Sequence, residues 1–136
     1  MEKLIYHETQ SRMATIEVAA ISGSSPTKGQ VQLSINGNNN YKNLVGVMLL
    51  INDSAGEPFT KKAEVGIATT SGIVLVPEQP YACIRPSFME KPADRIIPID
   101  SVAGSGHDFR FTVSITNATD TAVKYDVTAI CFFTNR

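Results

Sequence analysis

The chain has 136 residues, with 12 lysines and arginines against 13 aspartates and glutamates and a formal net charge of −1. This length suits one domain with its own core, and the balanced charge excludes the positive field that attracts nucleic acid or anionic membranes. No apolar run approaches the roughly 18 residues of a membrane-spanning helix, and the polar start MEKLIYHETQ lacks a secretory signal. We therefore expect a protein of the cytoplasm, or of an assembly built there, without a nucleic acid or membrane partner.

The N-terminal part begins with residues 1–12, which we expect to form an extended or partly helical arm. A first strand is predicted over Met13–Ile21. Residues 30–35, QVQLSI, alternate between polar and apolar side chains, which predicts a strand with one buried face. The asparagine cluster Asn36–Asn40 comes next. Because Asn and Gly tolerate the left-handed backbone of tight turns, the cluster predicts a corner of the fold and not a site.

The middle of the chain contains its most apolar run. Residues 44–51, LVGVMLLI, are apolar at odd and even positions alike, which is typical of a central strand covered on both faces. Further strands are predicted where short apolar runs are bounded by Gly and Pro, residues that mark the turns between runs. These strands are Phe59–Ile67, Gly72–Val76, Tyr81–Arg85 and Arg95–Ile99.

The C-terminal segment holds two alternating runs, residues 109–115 and 122–134. Their apolar positions are odd-numbered in both runs, and partners across an antiparallel pair point to the same face. We therefore predict that the two runs form a hairpin. Its facing pairs would be Ile115 with Val123, Val113 with Tyr125, and Phe111 with Val127.

Two large apolar residues, Ile130 and Phe132, fall on the even-numbered and otherwise polar face of this hairpin. Side chains of this size must be covered, either by another segment of the chain or by another molecule. In total the sequence predicts eight or nine short strands and no amphipathic helix. Short strands at intervals of about 8 to 12 residues indicate a single all-β domain over residues 1–136, a sandwich or a barrel.

No catalytic or metal-binding pattern emerges from the sequence. The two cysteines, Cys83 and Cys131, have neither zinc-site spacing nor a disulfide framework, and we expect both to be buried free thiols. The predicted hairpin places His107 opposite Cys131, but no third ligand or orienting carboxylate accompanies them. We therefore predict no enzyme activity, no catalytic residue, no metal and no cofactor.

Two classes of function remain besides an enzyme. A carbohydrate- or ligand-binding module would need exposed aromatic platforms, for which Tyr6, Tyr41 and Tyr81 are the candidates. A structural or assembly protein is favoured by the low charge, the many small hydroxyl and amide residues, and the apolar side chains left on an outer face.

Over its full length the chain resembles the small sandwich or jelly-roll proteins that bacteriophages use as coat, decoration or head-fibre subunits. The pattern is carried by NLVGVMLLINDSAGEPF, by the proline-bounded KPADRIIPID, and by FRFTVSITNATDTAVKYDVTAICFF. The resemblance implies a jelly-roll-like antiparallel β-sandwich. It also implies location in the virion after assembly in the host cytoplasm, and association with copies of itself and with other virion proteins.

Four residues are the contact candidates under this hypothesis: Phe88, Met89, Ile130 and Phe132. Phe88 and Met89 lie in the irregular stretch RPSFMEKPADRI, and long connections of this kind often form interfaces. The alternative for Phe88 is that its ring closes one end of the sandwich.

Overall fold

A computed structural model describes residues 8–36, 43–53, 62–84, 96–103 and 108–134. These ranges contain eight β-strands and one 3-10 turn, Tyr81–Cys83. The strands are β1 (Glu8–Val18), β2 (Thr27–Asn36), β3 (Asn43–Asp53), β4 (Lys62–Thr69), β5 (Val74–Pro80), β6 (Ile97–Ala103), β7 (Asp108–Asn117) and β8 (Val123–Thr134). In this part of the chain no helix is long and apolar enough to cross a bilayer.

The strands form two antiparallel sheets of four. Sheet one has the order β1-β8-β3-β6, and sheet two has the order β2-β7-β4-β5. The pairs β1·β8, β2·β7, β3·β6 and β4·β5 are those of one long hairpin, and rolling that hairpin up adds the contacts β8·β3 and β7·β4. This is the strand order of a jelly roll, with two Greek keys, and it differs from that of an immunoglobulin domain. The predicted antiparallel sandwich is confirmed.

Period-two burial creates the core between the sheets. Along β7 the odd-numbered side chains are buried and the even-numbered ones are exposed or half-buried. The same alternation holds along most of β8. Phe109 of sheet two and Phe133 of sheet one meet across the core with ring centroids 5.9 Å apart. Burying side chains of this size supplies about 1.5–3 kcal/mol each, so the two inner faces dominate folding.

The predicted C-terminal hairpin is wrong, because β7 and β8 lie in different sheets. Ile115 is paired with Gly29 of β2 and Ala63 of β4. Val123 is paired with Val18 of β1. The odd-numbered side chains of both strands do face the same core, but from opposite sheets. Alternation determines the face of each strand and leaves its neighbours undetermined, since the connection 118–122 crosses between sheets.

Two further predictions about strands and turns are wrong. The predicted strand over Tyr81–Arg85 is a 3-10 turn as far as the structure describes it. Prolines were expected to mark the turns between strands, but Pro77 and Pro80 lie within β5. Pro98 likewise lies within β6. Both are edge strands, where a residue without an N–H costs no ladder hydrogen bond.

The edges on the other side of the sandwich belong to β1 and β2. The Arg12 guanidinium donates a hydrogen bond to the Ser34 carbonyl oxygen at 3.0 Å and so joins the two sheets. Farther along, Gly29 permits close approach, because a Cβ there would lie 2.7 Å from a methyl of Val18. Residues 8–12 belong to β1, so the helical alternative for the N-terminal arm is wrong for these residues.

Candidate interaction face

Sheet one presents an outer face whose character changes along the strands. At one end Glu17 lies opposite Lys124, and the Lys124 Nζ is 3.9 Å from a Glu17 carboxylate oxygen. The next row contains Thr15, Asp126 and Asn52, and the Thr15 hydroxyl donates to the Asp126 carboxylate at 3.1 Å. This end of the face is polar.

The following two rows of the same face contain four apolar side chains beside one serine and one threonine. Met13, Thr128 and Leu50 form one row; Ser11, Ile130 and Met48 form the next. The Met13 side chain is 68% exposed. Its apolar neighbours are each half-buried. We call the four apolar residues of these two rows, Met13, Met48, Leu50 and Ile130, the apolar patch.

A β-bulge in β3 decides which of its apolar side chains join the patch. The register shifts between Leu44, opposite Phe133, and Gly46, opposite Phe132, so Val45 is an extra residue. Beyond the bulge Val47 is buried, whereas Met48 is only half-buried on the outer face. The expectation that residues 44–51 are covered on both faces is therefore wrong for the outer side.

Sheet two presents a different outer face. Its central rows consist of polar side chains and glycine, such as Gln32 beside Thr112 and Gly66. Lysines, Ser, Thr, Glu and Arg occupy most positions around them. Two exposed apolar residues lie at its edge: Ile73, 47% exposed in the β4–β5 turn, and Val74, 62% exposed at the start of β5. Across the central strands of sheet two, no apolar rows like those of the patch occur among the described residues.

The structure places two of the four contact candidates. Ile130 lies in the apolar patch, at the even-numbered position that the sequence assigned to the outer face. Phe132 points to the same face, but its own chain leaves it only 5% exposed, so its burial requires no partner. Phe88 and Met89 lie outside the described residues. Met13, Met48 and Leu50 were not among the candidates.

Tyr81, one of the three platform candidates, is unavailable for a ligand because it is buried at 4% exposure. Its hydroxyl accepts a hydrogen bond from the Ile51 N–H at 3.1 Å and donates one to the Leu49 carbonyl at 3.2 Å. Among the described residues, the pairing of β6 with β3 ends at Val47, and Tyr81 supplies hydrogen bonds to β3 beyond that point. Its role is structural, and the prediction of a surface platform is wrong. Tyr6 and Tyr41 lie outside the described residues.

The cysteines differ in their surroundings. Cys131 is buried as predicted, and burial raises the pKa of its thiol from 9.0 to about 12. Its cross-strand neighbours are Gln10 and Val47, while His107 lies outside the described residues. Cys83 is exposed, so the prediction that it is buried is wrong. In the described ranges no three His, Cys, Asp or Glu side chains lie close enough together to hold a metal.

Asn117 is a buried polar residue whose role the sequence did not show. Its amide nitrogen donates to the carbonyls of Ala19 and Thr121, both at 3.0 Å. Its amide oxygen accepts from the Thr119 backbone N–H at 3.1 Å and from the Thr119 hydroxyl at 2.6 Å. The side chain therefore joins the β7–β8 connection to the β1–β2 connection. The Asn-Ala-Thr sequence here serves the fold.

The described part of the chain is thus a jelly roll of eight strands, with a mainly polar outer face on one sheet and an apolar patch on the other. No protein-family model matches the chain, and no curated protein is similar to it in sequence. Any functional conclusion therefore depends on the outer faces of the two sheets.

Proposed function

We propose that this protein is a non-enzymatic structural subunit that associates with copies of itself through the apolar patch on sheet one. The observation that carries the proposal is the row of Met13 and Leu50 beside the row of Met48 and Ile130 on an outer face. An antiparallel sheet that faces water normally alternates between buried apolar and exposed polar residues. The patch departs from this rule, and burying it against another molecule gains about 25 cal/mol per Å² of apolar surface.

The edges of the sandwich favour contact between faces over strand addition. Prolines occupy the edge strands β5 and β6, and proline cannot donate a ladder hydrogen bond. On the other side, Arg12 of β1 already bonds the exposed Ser34 carbonyl of β2. Prolines and charged side chains at edges oppose the addition of a foreign strand. A second copy is therefore expected to dock on the face of sheet one.

The particular role that we propose is that of a bacteriophage virion subunit: a coat, decoration or head-fibre protein. Two observations support it, the resemblance of the whole sequence pattern to such proteins and the jelly-roll strand order. Jelly rolls are used in viral capsids, and also in lectins and cupins. Since a fold alone does not define a function, the self-association of this chain is the part to test first.

The test compares two exposed positions on the edge strands β1 and β2. Met13→Glu places a charge in the apolar patch, and Gln32→Glu places the same charge in the matching central row of sheet two. Both side chains are exposed, so neither change should affect folding. We expect wild type and Gln32→Glu to associate alike in sedimentation velocity at micromolar concentrations. Met13→Glu should weaken association by at least about tenfold, since partly burying a methionine contributes about 1.4 kcal/mol or more.

Two results would contradict the proposal. A wild-type chain that remains a 14.7 kDa monomer throughout the micromolar range would remove self-association altogether. Equal weakening by both variants would show that added negative charge, and not the patch, controls association.

A glycan-binding module is the alternative class. All six aromatic side chains in the described ranges are buried, namely Tyr81, Phe109, Phe111, Tyr125, Phe132 and Phe133. The flat aromatic platform that this class needs is therefore absent from the described part of the chain. A glycan array tests the alternative directly: retention of an oligosaccharide by monomeric protein would favour it over assembly.

A further inference from the structure

We infer that the outer face of sheet two binds a tetrahedral oxyanion, a phosphate or sulfate group, between Lys28 and Lys62. These lysines flank Thr116 in one cross-strand row, Lys28 on β2 and Lys62 on β4. Ser114 and Glu64 belong to the next row on this face. Together these side chains line a pocket of about 260 Å³.

The spacing suits one small anion held by both lysines. The two lysines are separated by one intervening strand, so their Cα atoms lie about 10 Å apart. Each lysine side chain is long enough to bring its ammonium group over Thr116. The hydroxyls of Ser114 and Thr116 are half-buried in the floor of the pocket and can donate to the same anion. Four donors would then surround one group of acceptor oxygens.

The donors of this pocket are not used within the described structure. The ion pair in that structure is Glu17–Lys124, and no side-chain hydrogen bond engages Lys28, Lys62, Ser114 or Thr116. A larger pocket of about 500 Å³ lies beside Glu17 and Lys124, and its two charges already neutralise each other. Among its described lining residues, the smaller pocket carries two positive charges against the one carboxylate of Glu64, so this lining favours an anion.

The ligand chemistry follows from the donors. An ammonium group binds phosphate or sulfate as a point charge, with short charge-assisted hydrogen bonds. The Glu64 carboxylate repels the same anion and limits its affinity. Removing that charge should therefore tighten binding, whereas removing the lysine charges should weaken it.

The test is an NMR titration of the full chain with inorganic phosphate, sodium sulfate and a sugar phosphate, each at constant ionic strength, with chloride as the blank. We expect saturable shifts of the Lys28, Lys62 and Thr116 amides. The double variant K28Q/K62Q should raise Kd by about twofold to thirtyfold, the range that two exposed charge contacts allow. Glu64→Gln should lower Kd. Lys124→Gln, which removes a lysine from the other sheet, should leave Kd unchanged.

Each outcome of the titration either supports or contradicts the inferred anion site. Saturation by the free ions identifies a site for inorganic anions, and saturation by the sugar phosphate alone identifies a phosphate group of a larger molecule. Both outcomes support the inference. Linear shifts without saturation in every arm, or equal weakening by Lys124→Gln, would overturn it. The site lies on the opposite sheet from the apolar patch, so its failure leaves the proposed self-association standing.

Discussion

The two sheets are alike on the inside and different on the outside. Both inner faces present rows of fully buried aliphatic and aromatic side chains, such as Val65 and Phe111 in sheet two and Leu49 and Val127 in sheet one. On the outside, sheet two is polar along most of its central strands, with Gly66 and Ala68 as the exceptions. Sheet one is polar at the Glu17 end and apolar toward Ile130.

This difference separates the requirements of folding from those of interaction. The core is formed by the inner faces alone. Sheet two shows that a sheet of this chain can combine an apolar inner face with a mainly polar outer face. Sheet one uses the same strand geometry and nevertheless keeps apolar residues where water has access. Folding gives no reason for the Met13 side chain to be apolar at 68% exposure. The proposed self-association would give one, since exposed apolar patches often mark contact surfaces.

The largest expected effect comes from Asn117, which is buried at one end of the sandwich. Asn117→Ala removes a side chain with 0% exposure that makes four hydrogen bonds. The Ala19 carbonyl and other groups would lose their partners, and we expect a loss of about 3 kcal/mol in the free energy of unfolding, measured by urea denaturation. Asn36→Ala, at an exposed position, is the control and should change stability by less than about 0.5 kcal/mol.

This variant also sharpens the comparison of faces. If the outer faces act only in association, folded Asn117→Ala should self-associate like the wild type. Loss of association in the folded variant would show that the patch depends on the connections at this end of the sandwich. A stability change as small as that of Asn36→Ala would mean that the hydrogen bonds of Asn117 are readily replaced by water.

A smaller loss is expected at the contact between Tyr81 and β3. Tyr81→Phe keeps the ring and removes only the hydroxyl that pairs with Ile51 and Leu49. Two backbone groups would be left without this partner, and we expect a loss of about 2 kcal/mol. Hydrogen exchange should accelerate at the Ile51 amide, with the amides of β7 in the other sheet as internal controls. An unchanged exchange rate at Ile51 would show that the hydrogen bond to the Tyr81 hydroxyl does not protect this amide from exchange.

The comparison also shows what the sequence could and could not predict. Alternation predicted the class of fold and the inward-facing residues, because side chains two apart along a strand share a face. It also assigned Ile130 and Phe132 to the outer face correctly, although the partner strand was wrong. The sequence could not predict the strand order. The alternating pattern around Ile115 is the same whether Ile115 pairs with Val123 or with Gly29.

The apolar patch itself was predicted only in part, for two physical reasons. The bulge after Leu44 changes the face of every later residue in β3, and no local signal in an apolar run shows where the extra residue lies. Met13 comes from β1, which joins the patch only through its pairing with β8. Tyr81 was misassigned because a tyrosine can serve a surface or a core equally well, and its hydroxyl partners Leu49 and Ile51 are distant in sequence.

Cysteine substitutions perturb the protein least, and their labelling reports directly on the accessibility of each outer face. In a Cys83→Ser background, Met13→Cys and Gln32→Cys place one exposed thiol on each outer face. We expect the Gln32→Cys thiol to react with a maleimide at the same rate at every protein concentration. The rate at the Met13→Cys thiol should fall as the protein concentration rises and the chain associates. A Met13→Cys labelling rate that does not change with protein concentration would locate the contact elsewhere.

Cys131 serves as the probe of the inner face in both variants. With a thiol pKa of about 12, it is almost wholly protonated at pH 8, and burial also denies the reagent access. Burial favours the neutral thiol, so its stabilising contribution is complete below about pH 9, the value for an unburied thiol, and is lost as the pH rises toward about 12. We therefore expect Cys131 to stay unlabelled at pH 8 at every protein concentration and to react once urea or alkaline pH unfolds the chain. Labelling of native Cys131 at pH 8 would show that β8 opens locally, in which case slow labelling at Met13→Cys could no longer be attributed to a neighbouring copy.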